Sequence, residues 1–204
     1  MKDKIKVIGF DYGGVIEINT FNPISKIVSL LNINKEAWSE AYFSLNHLCN
    51  KAGKSWEEVV LLAAKSFTNS KTILKKVASI LYKENEQNNI LNQELLTFIE
   101  DSLKPKYKIA LLSNYSKQLR NRLKEQNIAN FFDYIIISGE IGYQKPEKDF
   151  FKTFFTASNI KPEEFIFIDD TKKSLESYKE IGYTPILFTN TNETIKHIQD
   201  CLKN

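Results

Sequence analysis

Two patterns of hydrophobic and polar positions alternate along the chain, and they predict which segments form strands. Short apolar runs bounded by glycine, proline or polar residues predict strands at 5–10, 109–112, 134–137, 165–168 and 185–188. Between the later runs, apolar residues recur every three to four positions, which is typical of helices. Five strands that alternate with helices predict an α/β fold with a parallel sheet covered on both faces.

A different pattern follows the first strand, where about 70 residues have helical spacing throughout. Three capping signals indicate helix starts: Asn22 before Pro23, Asn34, and Ser55 with Glu58 three residues later. The polar run KENEQNN at 83–89 has no apolar residue and predicts a linker. We therefore predict an all-helical insertion at 17–88 and a core formed by 1–16 and 89–204.

Capping residues also predict where the helices of the core begin and end. Apolar residues from Leu91 to Leu103 have helical spacing, so we predict one helix there, ended by Pro105. Ser116 is predicted to cap the next helix, and Pro146 to open the one after that. Gly182 is a natural residue to end a helix, because glycine accepts the left-handed conformation.

Polar residues recur at the points where the predicted strands end. They are Asp11 with Gly13 and Gly14 after it, Ser113 with Asn114, Lys145 on a loop, and Asp169 with Asp170. Each alone is an ordinary turn or capping signal. In a parallel sheet, however, the carboxyl ends of the strands face the same crevice. We therefore expect these side chains to gather at one edge of the sheet.

Several carboxylates and a lysine in one crevice indicate that a cation and an anion are held between them, because like charges repel. Carboxylates that leave room for water ligands are typical of Mg²⁺ sites. A lysine, a serine hydroxyl and glycine N–H groups form a phosphate cradle. A remaining carboxylate can then attack phosphorus, and water can cleave the acyl phosphate that results.

These residues resemble the motifs of the haloacid dehalogenase-like phosphohydrolases, in the subgroup with a helical cap inserted after the first motif. The matching segments are FDYGGV, LLSN, QKPEKDFF, and FIFIDD followed by LESYKEIGYTPILF. The resemblance covers nearly the whole chain. It implies a Rossmann-like core with a five-stranded parallel sheet, dependence on Mg²⁺, and hydrolysis of a small phosphorylated metabolite that the cap selects.

The resemblance also implies a role for each site residue. Asp11 matches the nucleophile, and Lys145 matches the lysine that contacts the phosphate. The further phosphate contacts would come from Gly14, Ser113 and Asn114, and the metal contacts from Asp11, the Gly13 carbonyl and Asp170, with Asp169 in support.

The chain departs from the family pattern at Gly13, where the family usually has a second aspartate that serves as acid and base. A glycine carbonyl can still contact the metal, but it cannot transfer a proton. General acid–base help is typically worth about 10²- to 10⁴-fold, so we expect good leaving groups, such as those of sugar 1-phosphates, to be favoured. Glu17 is the nearest acid in sequence that could replace it.

Three other functions remain open. A dehalogenase would need arginines at the site, but Arg120 and Arg122 are predicted to lie on a solvated helix face. A phosphonatase would need a buried cap lysine, whereas Lys51 and Lys54 are predicted to be solvated. The third is a weakly active protein that only binds its ligand. A serine-triad hydrolase is disfavoured because the two histidines, His47 and His197, lie far from any serine at a strand end.

Charge and composition exclude some partners. The 28 basic and 25 acidic residues nearly balance and form no basic face, which disfavours binding of nucleic acid. No apolar run approaches the ~18 residues of a membrane span, and no signal peptide is evident, so a cytoplasmic protein is predicted. Cys49 and Cys201 have no metal-binding spacing and are predicted to stay reduced. The oligomeric state is left open.

Overall fold

The computed structural model describes residues 5–19, 23–85 and 89–203. Its strands, in chain order, are β1 (Val7–Phe10), β2 (Glu17–Asn19), β3 (Asn89–Leu91), β4 (Lys108–Ser113), β5 (Tyr134–Ile137), β6 (Phe165–Asp169) and β7 (Thr184–Leu187). Five of them form a parallel sheet in the order β5-β4-β1-β6-β7, and β2 and β3 form an antiparallel ribbon. The predicted five-stranded parallel sheet is confirmed.

The helices surround the sheet or follow β2. They are α1 (Pro23–Leu31), α2 (Lys35–Leu45), α3 (His47–Asn50), α4 (Trp56–Lys65), α5 (Lys71–Asn85), α6 (Gln93–Phe98), α7 (Leu119–Glu125), α8 (Ser138–Ile141), α9 (Lys148–Ser158), α10 (Lys172–Leu175), α11 (Tyr178–Ile181) and α12 (Thr191–Lys203). A π-helical turn (Ile99–Leu103) continues α6, and short 3₁₀ turns lie at Ala129–Phe131 and Pro162–Glu164.

Both faces of the parallel sheet are buried, which explains why its strands are apolar at nearly every position. Successive side chains of a strand point to opposite faces. In β6, Ile166 and Ile168 pack into one core with residues of α6, α7 and α12, while Phe165 and Phe167 pack into the other with phenylalanines of α9. Helices therefore pack against both faces of the sheet, which fixes the positions of its strand ends.

Helices α1–α5, which we call the helical module, have a hydrophobic cluster of their own. Its buried members include Ile27, Trp38, Val60 and Val77. Local signals start these helices as expected: Asn34 accepts a hydrogen bond from the Ala37 amide, and the capping box of Ser55 and Glu58 is formed. The β2–β3 ribbon carries the two connections between the sheet and this module.

Several predicted element ends were wrong. Lys83 to Asn85 belong to α5, and Asn89 belongs to β3, so 83–89 is not a continuous linker. Leu91 pairs with Glu17 in the ribbon, so the helix that follows begins only at Gln93. Strand pairing outweighs helical spacing at Leu91. The predicted cap residue Asn22 lies outside the described residues.

Two further caps differ from expectation. The helix predicted to start at Pro146 starts at Lys148. The Ser116 hydroxyl is buried without a hydrogen-bond partner and does not cap α7, whose N-cap position is Gln118. Gly182 does end α11 in the left-handed conformation, as predicted. Across the described residues, no helix combines the length and apolar character that crossing a membrane requires.

Candidate active site

The carboxyl edge of the sheet brings three aspartates together. Asp11 directly follows β1, the central strand, and its amide donates to the carbonyl of Ile168 in β6 at 2.8 Å. Asp169 ends β6 and Asp170 follows it. One oxygen from each of the three carboxylates lies within 4.8 Å of the other two, and no other group of this kind occurs in the described part of the chain. Adjacent parallel strands thus place the acids as their positions at strand ends predicted.

Lys145 lies between two of these acids. Its ammonium is 2.6 Å from Asp169 Oδ2 and 3.0 Å from Asp11 Oδ1, and it also donates to the Leu112 carbonyl at 2.8 Å. The side chain is 1% exposed. Burial alone would lower the pKa of Lys145, but the charges of Asp11 and Asp169 outweigh burial and raise it. Lys145 therefore remains a cation inside the protein.

Asn114 holds the loop that carries Lys145. Its Nδ2 donates to the Lys145 carbonyl at 2.9 Å, and its Oδ1 accepts from the Lys145 amide at 2.7 Å. Both ends of the side-chain amide contact the lysine backbone, and because Nδ2 carries a second hydrogen, the phosphate contact stays a prediction. Ser113, at the end of β4, is 2% exposed.

The carboxylates are held by different donors. The Tyr12 amide donates to Asp11 Oδ1 at 2.7 Å, and the Thr171 amide donates to Asp169 Oδ1 at 2.8 Å. Burial raises the pKa of Asp169 and of Asp170, and the negative charge of Asp11 adds to both shifts. The negative charges of the three acids repel one another, and Lys145 is the cation placed between two of them.

This donor set fits Mg²⁺. Carboxylate oxygens are its preferred protein ligands, and a divalent cation would offset the repulsion from Asp11 that adds to the two pKa shifts. Asp11 and Asp170 would hold the ion, because both oxygens of Asp169 already accept hydrogen bonds, from Lys145 and Thr171, whereas the Lys145 and Tyr12 contacts of Asp11 both fall on Oδ1.

The two glycines after Asp11 differ in what they permit. Gly14 has a φ of +81°, and a Cβ placed there would lie 2.3 Å from Asp170 Oδ2. Only glycine therefore lets the loop pass beside Asp170. Gly13 has no positive φ, and a Cβ there would meet no atom within 4 Å.

Comparison with known proteins agrees with this geometry. Residues 10–188 match the family model described as haloacid dehalogenase-like hydrolase. The chain belongs to this family. A "Phosphorylated carbohydrates phosphatase" from Thermotoga maritima is 26% identical over 109 residues, which cover 53% of this chain and 47% of that protein. The chain spans 12% to 47% of the length of the first curated relatives it matches.

Solved structures of other family members share the fold. A predicted HAD-like hydrolase from Porphyromonas gingivalis superposes with a TM-score of 0.68 at 23% identity, covering 98% of each chain. A HAD family enzyme from Bacteroides thetaiotaomicron, in complex with magnesium and inorganic phosphate, has a TM-score of 0.61 at 19% identity, covering 91% of this chain and 94% of that one.

This haloacid dehalogenase-like hydrolase has Gly13 where the family usually has an acid, and Glu17 was the nearest candidate to replace it. The Glu17 side chain, however, is bonded to three other side chains. Its Oε1 accepts hydrogen bonds from Tyr12 Oη at 2.5 Å, Arg122 Nη2 at 2.7 Å and Gln126 Nε2 at 3.0 Å. Arg122 was predicted to lie on a solvated helix face, and this was wrong. It forms an ion pair with Glu17, whose side chain is 9% exposed.

Sequence analysis missed Tyr12 and Arg122 as partners. Tyr12 follows the proposed nucleophile, is fully buried, and packs edge to face against Tyr115 with ring centroids 6.0 Å apart. Burial and the charge of Glu17 raise the pKa of Tyr12. A tyrosine next to an apolar strand, with a glutamate five residues later, was the only signal in the sequence for a Tyr12–Glu17 contact. The sequence does not show that α7 brings Arg122 to this pair.

The helical module contacts the hydrolase core beside Lys145. Asn50 Nδ2 donates to Gln144 Oε1 at 2.9 Å, and Lys51 forms an ion pair with Glu147. Lys51 is 32% exposed, so it is neither the buried lysine of a phosphonatase nor fully solvated. His47 and His197 are exposed on α3 and α12, on separate elements of the hydrolase.

Other parts of the sequence prediction concern groups away from the aspartates. Cys49 is buried and Cys201 is partly exposed. Burial raises the pKa of Cys49 to about 11, which disfavours the reactive thiolate form. A cavity of about 310 Å³ lies between the module and the core, lined by residues that include Trp56, Glu57, Tyr115 and Arg122. None of the three aspartates lines it, so this cavity is separate from the aspartate cluster.

Proposed function

We propose that this hydrolase is a Mg²⁺-dependent phosphatase that acts on a small phosphorylated metabolite, such as a sugar phosphate, through an aspartyl phosphate on Asp11. The observation that carries the proposal is the cluster of Asp11, Asp169 and Asp170 with Lys145 between two of them. The phosphatase from Thermotoga maritima and the neighbour with magnesium and phosphate support the same class.

In this proposal, Asp11 attacks the phosphorus atom. A bond forms between its carboxylate oxygen and phosphorus while the bond from phosphorus to the leaving oxygen breaks. The Tyr12 amide and Lys145 both hold Oδ1, which fixes the orientation of the carboxylate. Water then cleaves the acyl phosphate, so that phosphate leaves and the Asp11 carboxylate is restored.

Positive charge is what allows an anionic nucleophile to approach a phosphate dianion. Lys145 supplies one charge, and Mg²⁺, when bound, supplies further charge that stabilises the transferring phosphoryl group. Gly14 is proposed to present its loop to the phosphate without a side chain, and Ser113 to offer its hydroxyl. Asn114 also acts indirectly, because its amide fixes the backbone of Lys145.

The structure gives less support to the related reactions. A dehalogenase would need an arginine for the carboxylate of its substrate, but Arg120 pairs with Glu140 at 2.6 Å and Arg122 with Glu17 at 2.7 Å. A phosphonatase would need a lysine amine able to form an imine, whereas Lys51 pairs with Glu147. We therefore favour phosphate ester hydrolysis.

We also propose that the helical module serves as the cap that selects the substrate. Its own hydrophobic cluster, together with its contacts at Gln144 and Glu147 beside Lys145, supports this role. The boundaries at 17 and 88, the cytoplasmic location and the absence of a nucleic-acid partner stay predictions.

Turnover of p-nitrophenyl phosphate with and without Mg²⁺ tests the function. We expect hydrolysis that EDTA abolishes and Mg²⁺ restores. Asp11→Asn has nearly the same volume but no anionic nucleophile, so it should lower kcat by more than about 10³-fold without changing the circular dichroism spectrum. Residual activity above roughly a few per cent would show that Asp11 is not the nucleophile, and no activity in the wild type would favour the protein that only binds.

A further inference from the structure

A buried polar network lies beside the proposed reaction centre without contacting it directly. Tyr12 Oη donates to Glu17 Oε1 at 2.5 Å, and Arg122 Nε lies 2.9 Å from both the Tyr12 hydroxyl and Glu17 Oε1. Gln126 Nε2 donates to the same oxygen at 3.0 Å. A carboxylate that is 9% exposed thus depends on Arg122 for its compensating charge.

This network is bonded to the turn that follows Asp11. The amides of Ile16 and Glu17 donate to the Tyr12 carbonyl at 3.0 and 2.8 Å, and the Gly14 amide donates to the Glu17 carbonyl at 2.8 Å. Gly13 also forms a β-bridge with Glu17. The backbone of Glu17 is therefore linked directly to both glycines.

The backbone of Gly14 allows little displacement. A Cβ at Gly14 would lie 2.3 Å from Asp170 Oδ2, which shows how closely its backbone passes beside this acid. A shift of Glu17 toward water would move the Gly13 carbonyl and the Gly14 backbone relative to Asp11 and Asp170. Groups behind metal ligands control affinity through such placement.

We propose that Arg122 is a positioning residue, which holds the Gly13–Gly14 backbone in its metal-binding and phosphate-binding position through Glu17. This role rests on the proposed Mg²⁺-dependent function. Because Glu17 also begins β2, the same ion pair anchors the base of the ribbon that leads to the helical module.

The test is Mg²⁺ binding to the metal-free protein, measured by calorimetry without substrate. Arg122→Met leaves Glu17 buried without its counter-charge, so we expect the Kd for Mg²⁺ to rise at least about tenfold, the lower end for groups behind metal ligands. Arg122→Lys keeps the charge and should recover part of the affinity.

Arg120 provides a matched control, because it is the other arginine of α7 and also pairs with a glutamate. Arg120 bonds Glu140 and the Ile135 carbonyl, and its side chain is 40% exposed. Arg120→Met should leave the Kd for Mg²⁺ within about twofold of the wild-type value, although it removes an ion pair of the same type.

Tyr12→Phe serves as a second variant if Arg122→Met does not fold, since it removes one hydroxyl and keeps the ring. We expect a threefold or larger rise in Kd, which corresponds to about 0.7 kcal/mol from RT ln 3. A folded Arg122→Met or Tyr12→Phe protein whose Kd stays within twofold of wild type overturns the positioning role alone. Failure of the wild type to bind Mg²⁺ would overturn the proposed function as well.

Discussion

Two lysines flank the proposed site, and they differ in what the fold does with their charge. Lys145, on the core side, is 1% exposed and contacts Asp11, Asp169 and a backbone carbonyl. Lys51, on the side of the helical module, is 32% exposed and pairs with Glu147, which is 37% exposed. The ammonium of Lys145 is thus buried between two acids, whereas that of Lys51 is partly screened by water.

The difference separates two tasks. At the carboxyl edge of the sheet, Lys145 and Asp169 are buried and Asp11 is 13% exposed, whereas Asp170 is exposed. Buried charges of this kind would stabilise the charge that develops during phosphoryl transfer. The ion pair that Lys51 of the module forms with Glu147 of the core is partly exposed, so it can change with the substrate at little cost in folding stability. In the proposed function, the core would supply the chemistry and the module would set the choice of substrate. Substitutions on each side test this division.

The largest effect in this comparison is expected for Lys145→Ala. Removing the ammonium leaves Asp11 and Asp169 facing each other and removes positive charge from the transferring phosphoryl group. We expect kcat to fall about 10³-fold. Steady-state kinetics with p-nitrophenyl phosphate at saturating Mg²⁺ would measure this, with circular dichroism as the control for folding. A decrease below tenfold would show that this lysine is not part of the chemistry.

Gly13→Asp should produce a gain on the core side. The space beside Gly13 is open and its φ is not positive, so an aspartate fits without strain. If it reaches the leaving oxygen, the new acid should speed hydrolysis of alkyl phosphates by about 10² and of aryl phosphates much less. A plot of log(kcat/KM) against leaving-group pKa would become flatter. A wild-type plot that is already flat would mean that another residue supplies the proton.

Gly14→Ala should weaken metal binding. A Cβ at Gly14 collides with Asp170, and a φ of +81° is unfavourable for alanine by about 1–2 kcal/mol. We expect the Kd for Mg²⁺ to rise about tenfold, measured by calorimetry. Gly53→Ala is the matched control, because Gly53 has a φ of +76° with no atom near the new Cβ. Equal Mg²⁺ affinity in both variants would contradict the role of the close approach to Asp170.

Lys51→Met should have the smallest effect. The ion pair with Glu147 is partly exposed, so its loss should cost about 0.5 kcal/mol or less in the free energy of unfolding. We expect kcat for p-nitrophenyl phosphate to change less than twofold, and KM for bulkier phosphate esters to change two- to fivefold. Urea unfolding and a panel of sugar phosphates would measure both. A loss of kcat as large as that of Lys145→Ala would contradict the assignment of the chemistry to the core and of substrate choice to the module.

The sequence determined the fold and the membership of the site, for physical reasons that are local. Apolar runs buried on both faces are typical of parallel strands, and polar residues directly after those runs must lie at one sheet edge. Asp11, Lys145, Asp169 and Asp170 were therefore predictable as neighbours. Capping signals at Asn34, Ser55 and Gly182 also needed no tertiary information.

Only the tertiary structure decided which partners the polar side chains near the sheet edge have. Glu17 was the candidate acid nearest in sequence, but α7 places Arg122 against it, 105 residues further along the chain. Asn114 was predicted to contact phosphate, and its amide bonds the backbone of Lys145. Such pairings depend on how distant segments pack, and hydrophobic periodicity carries no information about the direction in which a polar side chain finds its partner.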